Sequence, residues 1–349
     1  MSRILTCTWA PTAIAGPKLT RGDVRRSGLA NASGADLAAR LSMPVERAES
    51  LGIDHLLVAQ RWWGTGEEIE ASSFDCLAMT AYYASITSRI RLVTAIHPGF
   101  FLPAAVAKWG ATLDRITGGR WAINVTSGWH EQEFGMFGAQ LIPHDERYAR
   151  SREFIEILRA AWGGGEVTYR GAYYSVEGLQ VEPAPFGPLT VFQGGQSDAA
   201  QELAAGQSDW MFLNGGPPGK VKAIVESVRA KAMARGRTVS FALYAIPLCR
   251  ETDGEAEEVV ETMVANIDTE RVARRRVRVA GAQGMWQESP DRLTTLDSNE
   301  GFASRLIGSP ATIEQRMLEF HNLGIDMFHL TLNDDRFVSE VLPRIQAHR

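Results

Sequence analysis

The chain has 349 residues, 45% of them apolar and 22% charged, with 36 Lys and Arg against 41 Asp and Glu. A formal net charge of −5 with scattered cations excludes a dedicated nucleic-acid surface, and the balance of apolar to charged residues excludes a disordered or collagen-like chain. No apolar run approaches the ~20 residues of a membrane helix and Met1–Ala10 lacks a secretory pattern, so a cytoplasmic location is expected.

The first apolar, β-rich run is Ile4–Trp9, followed by a polar, glycine-bearing loop at Gly16–Gly34. Ala35–Leu51 then reads as a helix, with Leu37, Leu41, Val45 and Ala48 on one face. His55–Ala59 and Ile90–Ala95 are the next runs, and Pro103–Ile116 is helical. The fourth run, Trp121–Thr126, precedes a helix at Tyr148–Trp162 and a small hairpin around Tyr169–Tyr174. Leu189–Gln193 and Trp210–Leu213 are each followed by a helical pattern, Asp198–Ala205 and Pro217–Ala234. The seventh run is Ser240–Pro247. Arg271–Gly301, charged at its start and weakly periodic, leads to a helix at Pro310–Leu323 that Ser309 caps. Met327–Leu332 is the last run and Phe337–Ala347 the closing helix.

Eight nearly continuous apolar runs alternating with helices predict a (β/α)8 TIM barrel, one domain over 1–349, with insertions at about 163–188 and 271–301 after strands four and seven. A doubly wound open sheet is the alternative, but it usually has five or six strands. Cys7, Cys76 and Cys249 are odd in number and far apart, and read as buried small hydrophobes.

In a barrel, ligand-facing residues project from the C-terminal strand ends. Asn124 alternates with Ile123 and Val125 at such an end, where its amide either holds a ring edge or satisfies neighbouring backbone. His144 and Tyr148 lie four apart at a helix start, as a donor-rich edge or a surface cap. Phe192-Gln-Gly-Gly-Gln-Ser-Asp198 runs a strand through two glycines into a helix, as a phosphate cradle or a tight turn. Trp9, Trp62, Trp63, Phe100, Phe101 and Trp129 cluster at strand ends with His97 and Arg61, as a pocket wall or as packing. No G-x-S-x-G or H-E-x-x-H occurs, so no metal site is expected and an organic cofactor carries the reactivity.

Asn124-Val-Thr-Ser-Gly-Trp129, His144-Asp-Glu-Arg-Tyr148, Gln193-Gly-Gly-Gln-Ser197 and Leu306-Ile-Gly-Ser-Pro310, in that order, resemble the bacterial-luciferase-like flavin monooxygenases from about Ala35 to Leu342. Ala95-Ile-His-Pro-Gly99 through Ala111-Thr-Leu-Asp-Arg115 is similar to the branch acting on alkanesulfonates and dimethyl sulfone, and Trp210 and Asn214-Gly-Gly216 to its dimethyl sulfone members. The resemblance implies a barrel binding FMN as FMNH2, supplied by a separate NAD(P)H:flavin reductase, with O2 as co-substrate in a pocket closed to water. It places Asn124, Thr94 and Glu133 near the isoalloxazine, His144 and Tyr148 on the ribityl–phosphate side, and Gln196 and Ser197 at the phosphate. Arg271–Gly301 becomes a mobile lid, and His97 and Asn124 are the catalytic candidates.

On the substrate side the candidates are Trp9, Arg61, Trp62, Asn214 and Tyr244. Tyr244 and Ile246 stand where the sulfonate enzymes carry Arg and His, and Ser298 where they carry a lid arginine. A buried sulfonate without counter-charges costs several kcal/mol, so a small neutral organosulfur substrate cleaved at C–S is favoured, with Arg61 arguing the other way. The same chemistry on a sulfonate or on a heteroaromatic or halogenated ring is one alternative. A flavin-binding protein without turnover, or a deazaflavin-dependent dehydrogenase, is another. By analogy with relatives the chain forms a homodimer or homotetramer.

Overall fold

The structure, a computed structural model, describes residues 3–12, 29–63, 72–279, 283, 289, 291–297 and 299–348. Most of the loop expected at Gly16–Gly34, part of the expected lid and Ser298 lie outside the described residues.

β1 (Leu5–Trp9), β2 (His55–Val58), β3 (Arg91–Ile96), β4 (Trp121–Val125), β5 (Val191–Gly194), β6 (Trp210–Leu213), β7 (Ser240–Ala245) and β8 (Met327–Leu330) form a closed barrel. Every neighbouring pair is parallel, and β8 pairs back onto β1 with Cys7 level with His329. This closure explains the continuous apolar runs, because both faces of each strand are buried. Outward residues such as Leu56, Leu92, Ile123 and Val125 pack beneath the helices. Inward ones, among them Cys7, Leu57, Val93, Ala122, Phe192 and Met327, fill the barrel.

The helices are α1 (Gly34–Ser50), α2 (Cys76–Ile86), α3 (Pro103–Thr117), α4 (Glu131–Met136), α5 (His144–Trp162), α6 (Asp198–Gln207), α7 (Pro218–Met233), α8 (Asp253–Ala265), α9 (Thr269–Arg278), α10 (Pro310–Leu323) and α11 (Leu342–Ala347). The expected face of α1 is buried through Leu41, Val45 and Ala48. Proline opens α3 and a left-handed Gly118 stops it. Ser309 caps α10 as expected, its side chain accepting from the Thr312 N–H. Cys7, Cys76 and Cys249 are all free and buried. No helix among the described residues is long and apolar enough to cross a membrane.

The expected hairpin is present as Val167–Arg170 antiparallel to Ser175–Leu179. Its turn is tied to α5 by the Glu153 carboxylate, which accepts the N–H groups of Ala172, Tyr173 and Tyr174 at 2.8, 2.9 and 3.1 Å.

Two elements differ from expectation. Arg271–Arg278, taken as the start of an irregular segment, is helical as part of α9, which Asp268 caps. Together with α8 and Leu293, Leu296 and Phe302 it shelters a small core of its own beside the barrel. The closing helix is interrupted: Phe337–Val341 is a π-turn and regular helix resumes at Leu342. Pro343, without an N–H to donate, follows that junction.

Candidate active site

A cavity of ≈ 190 Å³ lies at the C-terminal ends of the strands. All eight strands reach it, through Trp9, Leu57, Ala95, Asn124, Gly194, Phe212, Tyr244 and His329. The pleat decides which residues these are. Ala95 and Asn124 are level neighbours on β3 and β4, as are Tyr244 and His329 on β7 and β8.

One wall is built by α5 and the loop after β4. The first turn of α5 presents His144, Arg147 and Tyr148 to the cavity, at the i, i+3 and i+4 positions of one face. His144 Nδ1 lies 2.7 Å from Asp145 Oδ1. The Arg147 guanidinium donates to the Gly128 carbonyl. Gly128 has φ +90°, and a Cβ there would sit 2.6 Å from the Phe134 ring, so this loop tolerates no side chain at that point.

Next to this wall β5 ends in Gly194 and Gly195, ahead of α6. Gly195 has φ +121°, and a Cβ on it would meet the Tyr148 hydroxyl at 2.9 Å. Ser197 caps α6, its Oγ accepting from the Ala200 N–H at 3.3 Å, and its side chain also hydrogen-bonds Tyr148. Burial raises the Tyr148 phenol above its ordinary value, with the Ser197 contact opposing. A glycine approach, a capped ten-residue helix start and the Arg147 cation together form an anion-favouring corner.

The rest of the cavity sets polar groups among apolar walls such as Trp9, Leu57, Ala95 and Phe212. Among the described residues, Gln60 Nε2, His97 Nδ1, Asn124 Oδ1, Gln196 Oε1, Asn214 Nδ2 and His329 Nε2 are buried on its lining without a hydrogen-bond partner. Leaving such groups unsatisfied costs about 1–3 kcal/mol each. Gln60, His97, Asn124 and Gln196 offer both donors and acceptors, which suits a heteroaromatic ring with carbonyl and N–H edges and an anionic tail; these residues fit a flavin mononucleotide, and Asn214 and His329 are left for a second, smaller molecule. Gln60 is oriented by the backbone, its Oε1 accepting from the His97 N–H at 2.8 Å. Burial pushes His97 down to about 4 and His329 to about 3, so both rings are neutral near pH 7.

The structure brings most of the expected residues together. Trp9, Arg61, His97, Asn124, His144, Tyr148, Gln196, Asn214 and Tyr244 all line the cavity, and Ser197 stands behind its glycine corner. Three do not reach it. Thr94 points away from the barrel interior: its hydroxyl lies 2.8 Å from Thr80 Oγ1 and accepts from Trp121 Nε1 at 3.0 Å, because Ala95 is the inward residue of that pair. The Glu133 carboxylate accepts from the Trp62 backbone N–H at 2.7 Å and so positions the loop after β2. Trp62 packs against Phe100, Phe101 and Phe137 on the outer side of that loop.

Gln60, Arg147, His329 and Arg275 were not anticipated. Arg147 shares the α5 face with His144 and Tyr148, and His329 shares the inward face of β8 with Met327, so helical and strand periodicity carried both signals. Arg275 comes from α9 and lies 5.8 Å above the Trp129 ring at the cavity edge; nothing local in its charged stretch marks it out.

The profile of a family described as luciferase-like monooxygenase matches residues 25–327. The chain is 33% identical over 351 residues to the FMNH2-dependent dimethylsulfone monooxygenase of Pseudomonas fluorescens (strain Pf0-1), covering 97% of this chain and 93% of that protein. It is 34% identical over 316 residues to the protein of the same description from Pseudomonas putida, covering 86% and 85%. Among solved structures, EDTA monooxygenase (EmoA) from Chelativorans sp. BNC1 superposes with a TM-score of 0.75 at 20% identity over 99% of this chain and 94% of that one, a likeness of fold.

Proposed function

Because the chain belongs to the luciferase-like monooxygenase family, we propose that it is an FMNH2-dependent monooxygenase that cleaves a C–S bond in a small neutral organosulfur compound, dimethyl sulfone or a near relative. The observation that carries this reading is the set of unmet polar atoms on Gln60, His97, Asn124 and Gln196 in a cavity whose corner is built for an anion. FMNH2, delivered by a separate NAD(P)H:flavin reductase, supplies the electrons that activate O2. In balance, dimethyl sulfone, O2 and FMNH2 give methanesulfinic acid, formaldehyde, FMN and water.

The protein's contribution is positioning and exclusion of water. Gly195, Gln196 and Ser197 at the start of α6, with His144, Arg147 and Tyr148, hold the phosphate and ribityl tail. Asn124, its Oδ1 unmet, would hold the edge of the ring. His97, neutral and with Nδ1 unmet, offers a hydrogen bond without adding charge. Trp9, Arg61, Asn214 and Tyr244 line the remaining space and contact the substrate. Burial raises the Tyr244 phenol far above its ordinary range, so it stays protonated as a donor. The excursion after β7 covers this space with Arg275 and Asn299.

Arg61 and Arg275 on the lining favour a second reading, an alkanesulfonate substrate. Sulfite release from ethanesulfonate, against methanesulfinate release from dimethyl sulfone, separates the two. Anaerobic titration with FMNH2 tests the shared premise. Saturable binding that Tyr148→Phe and Arg147→Ala each weaken about tenfold, the loss of one hydrogen bond or ion pair, is expected; FMNH2 that fails to bind the wild-type chain overturns it.

A further inference from the structure

We infer that His329 determines specificity in the substrate subsite by donating a hydrogen bond to an oxygen of a small, neutral, dipolar molecule. This rests on the monooxygenase reading and deepens it, since it names the group on the substrate that is recognised.

His329 is 2% exposed and lines the cavity. Rings close on it from three directions, with centroids at 4.4 Å for Trp9, 5.2 Å for Tyr244 and 5.6 Å for Phe212. This box holds the imidazole in place, yet its Nε2 has no hydrogen-bond partner. A molecule that brings an acceptor oxygen into the box relieves that deficit, and the aromatic walls accept its apolar groups.

Position in the barrel assigns this wall to the substrate. The strand order β7-β8-β1 sets Tyr244, His329 and Trp9 across the barrel from Asn124 on β4 and Gly194 on β5, the side occupied by the anion corner. Charge narrows the class. Burial keeps the ring neutral down to about pH 3, so it offers one N–H and one lone pair and no counter-charge to an anion. A sulfone or sulfoxide oxygen, strongly dipolar on an uncharged molecule with small alkyl arms, matches all three constraints. The corresponding thioether has the same arms and no oxygen.

The test compares dimethyl sulfone with dimethyl sulfide by equilibrium binding to the FMNH2-loaded enzyme without O2, followed by Trp fluorescence. Wild type is expected to bind the sulfone at least about tenfold more tightly, as a site built around one hydrogen bond requires. His329→Phe keeps a ring in the box and removes the donor. It should abolish that preference by weakening the sulfone alone, with the Kd for FMNH2 unchanged. His329→Gln keeps a donor and should retain part of the preference, whereas His329→Leu should not; this pair decides the matter if the Phe variant does not fold. A preference that survives in the Phe and Leu variants overturns the assignment. A wild type that neither binds the sulfone nor, in air, consumes it overturns the enzyme reading and the assignment with it.

Discussion

Asn124 and Thr94 carry opposite duties although both stand at C-terminal strand ends. On β4, Ile123 and Val125 pack outward and Asn124 turns into the cavity. On β3 the same alternation turns Ala95 inward and leaves Thr94 bridging Thr80 and Trp121. Two substitutions separate these duties. Asn124→Leu should raise the Kd for FMNH2 about tenfold with little change in unfolding midpoint. Thr94→Val should leave that Kd unchanged and cost about 1–3 kcal/mol of stability, because the buried Trp121 N–H loses its acceptor. Asn124 was legible in the sequence because a polar residue interrupts an apolar run. Thr94 was misplaced because a motif match carries no information about the pleat. His329 was open to the alternation argument, yet within Met327–Leu330 it reads as one more member of a buried strand.

The turn from β5 into α6 is where one element decides the most. Gly195 combines a φ of +121° with a close approach to Tyr148, and Ser197 caps the helix behind it. Gly195→Ala should destabilise the fold by about 1–3 kcal/mol and weaken FMNH2 binding, since both the conformation and the contact resist a Cβ. Thermal unfolding and anaerobic titration of this variant check both effects. Ser197→Ala should cost about 1 kcal/mol through loss of the cap, and it also removes the contact with Tyr148. Elements with punctuation were readable in this way: Pro103 and Gly118 bracket α3, and Ser309 opens α10. α2 was not, because Cys-Leu-Ala-Met-Thr-Ala-Tyr-Tyr is apolar nearly all round and shows no stripe when a helix is packed on several sides. α9 fails in the opposite way, its charged surface hiding the inward Arg275.

Across the whole molecule, eight apolar runs and their spacing were enough to predict the barrel, since parallel strands covered on both faces leave an unbroken hydrophobic signature. The excursion after β7 was legible only as an irregularity; its small core depends on contacts among distant residues such as Val260, Val272 and Phe302. Burial inside the barrel also sets the acid stability. His55, His97 and His329 are pushed down to about 3, 4 and 3, while the unfolded chain takes up these protons near pH 6.5. The unfolded state therefore binds more protons below pH ~6.5, and the contribution present above it is lost as pH falls toward the folded values. Asp297, which burial raises to about 6, opposes them by about one proton, so urea unfolding between pH 7 and 4 should steepen to roughly 3 kcal/mol per pH unit when all three histidines are engaged, and by about one proton less in His55→Gln.

The most direct measurement is the fate of oxygen. With FMNH2 supplied by an NAD(P)H-dependent reductase, dimethyl sulfone should be consumed under 18O2 with one labelled atom appearing in the formaldehyde, trapped at once as a stable derivative, and one methanesulfinate formed per formaldehyde. Hydrogen peroxide as the sole oxygen product, with the sulfone recovered intact at saturating FMNH2, would contradict the account.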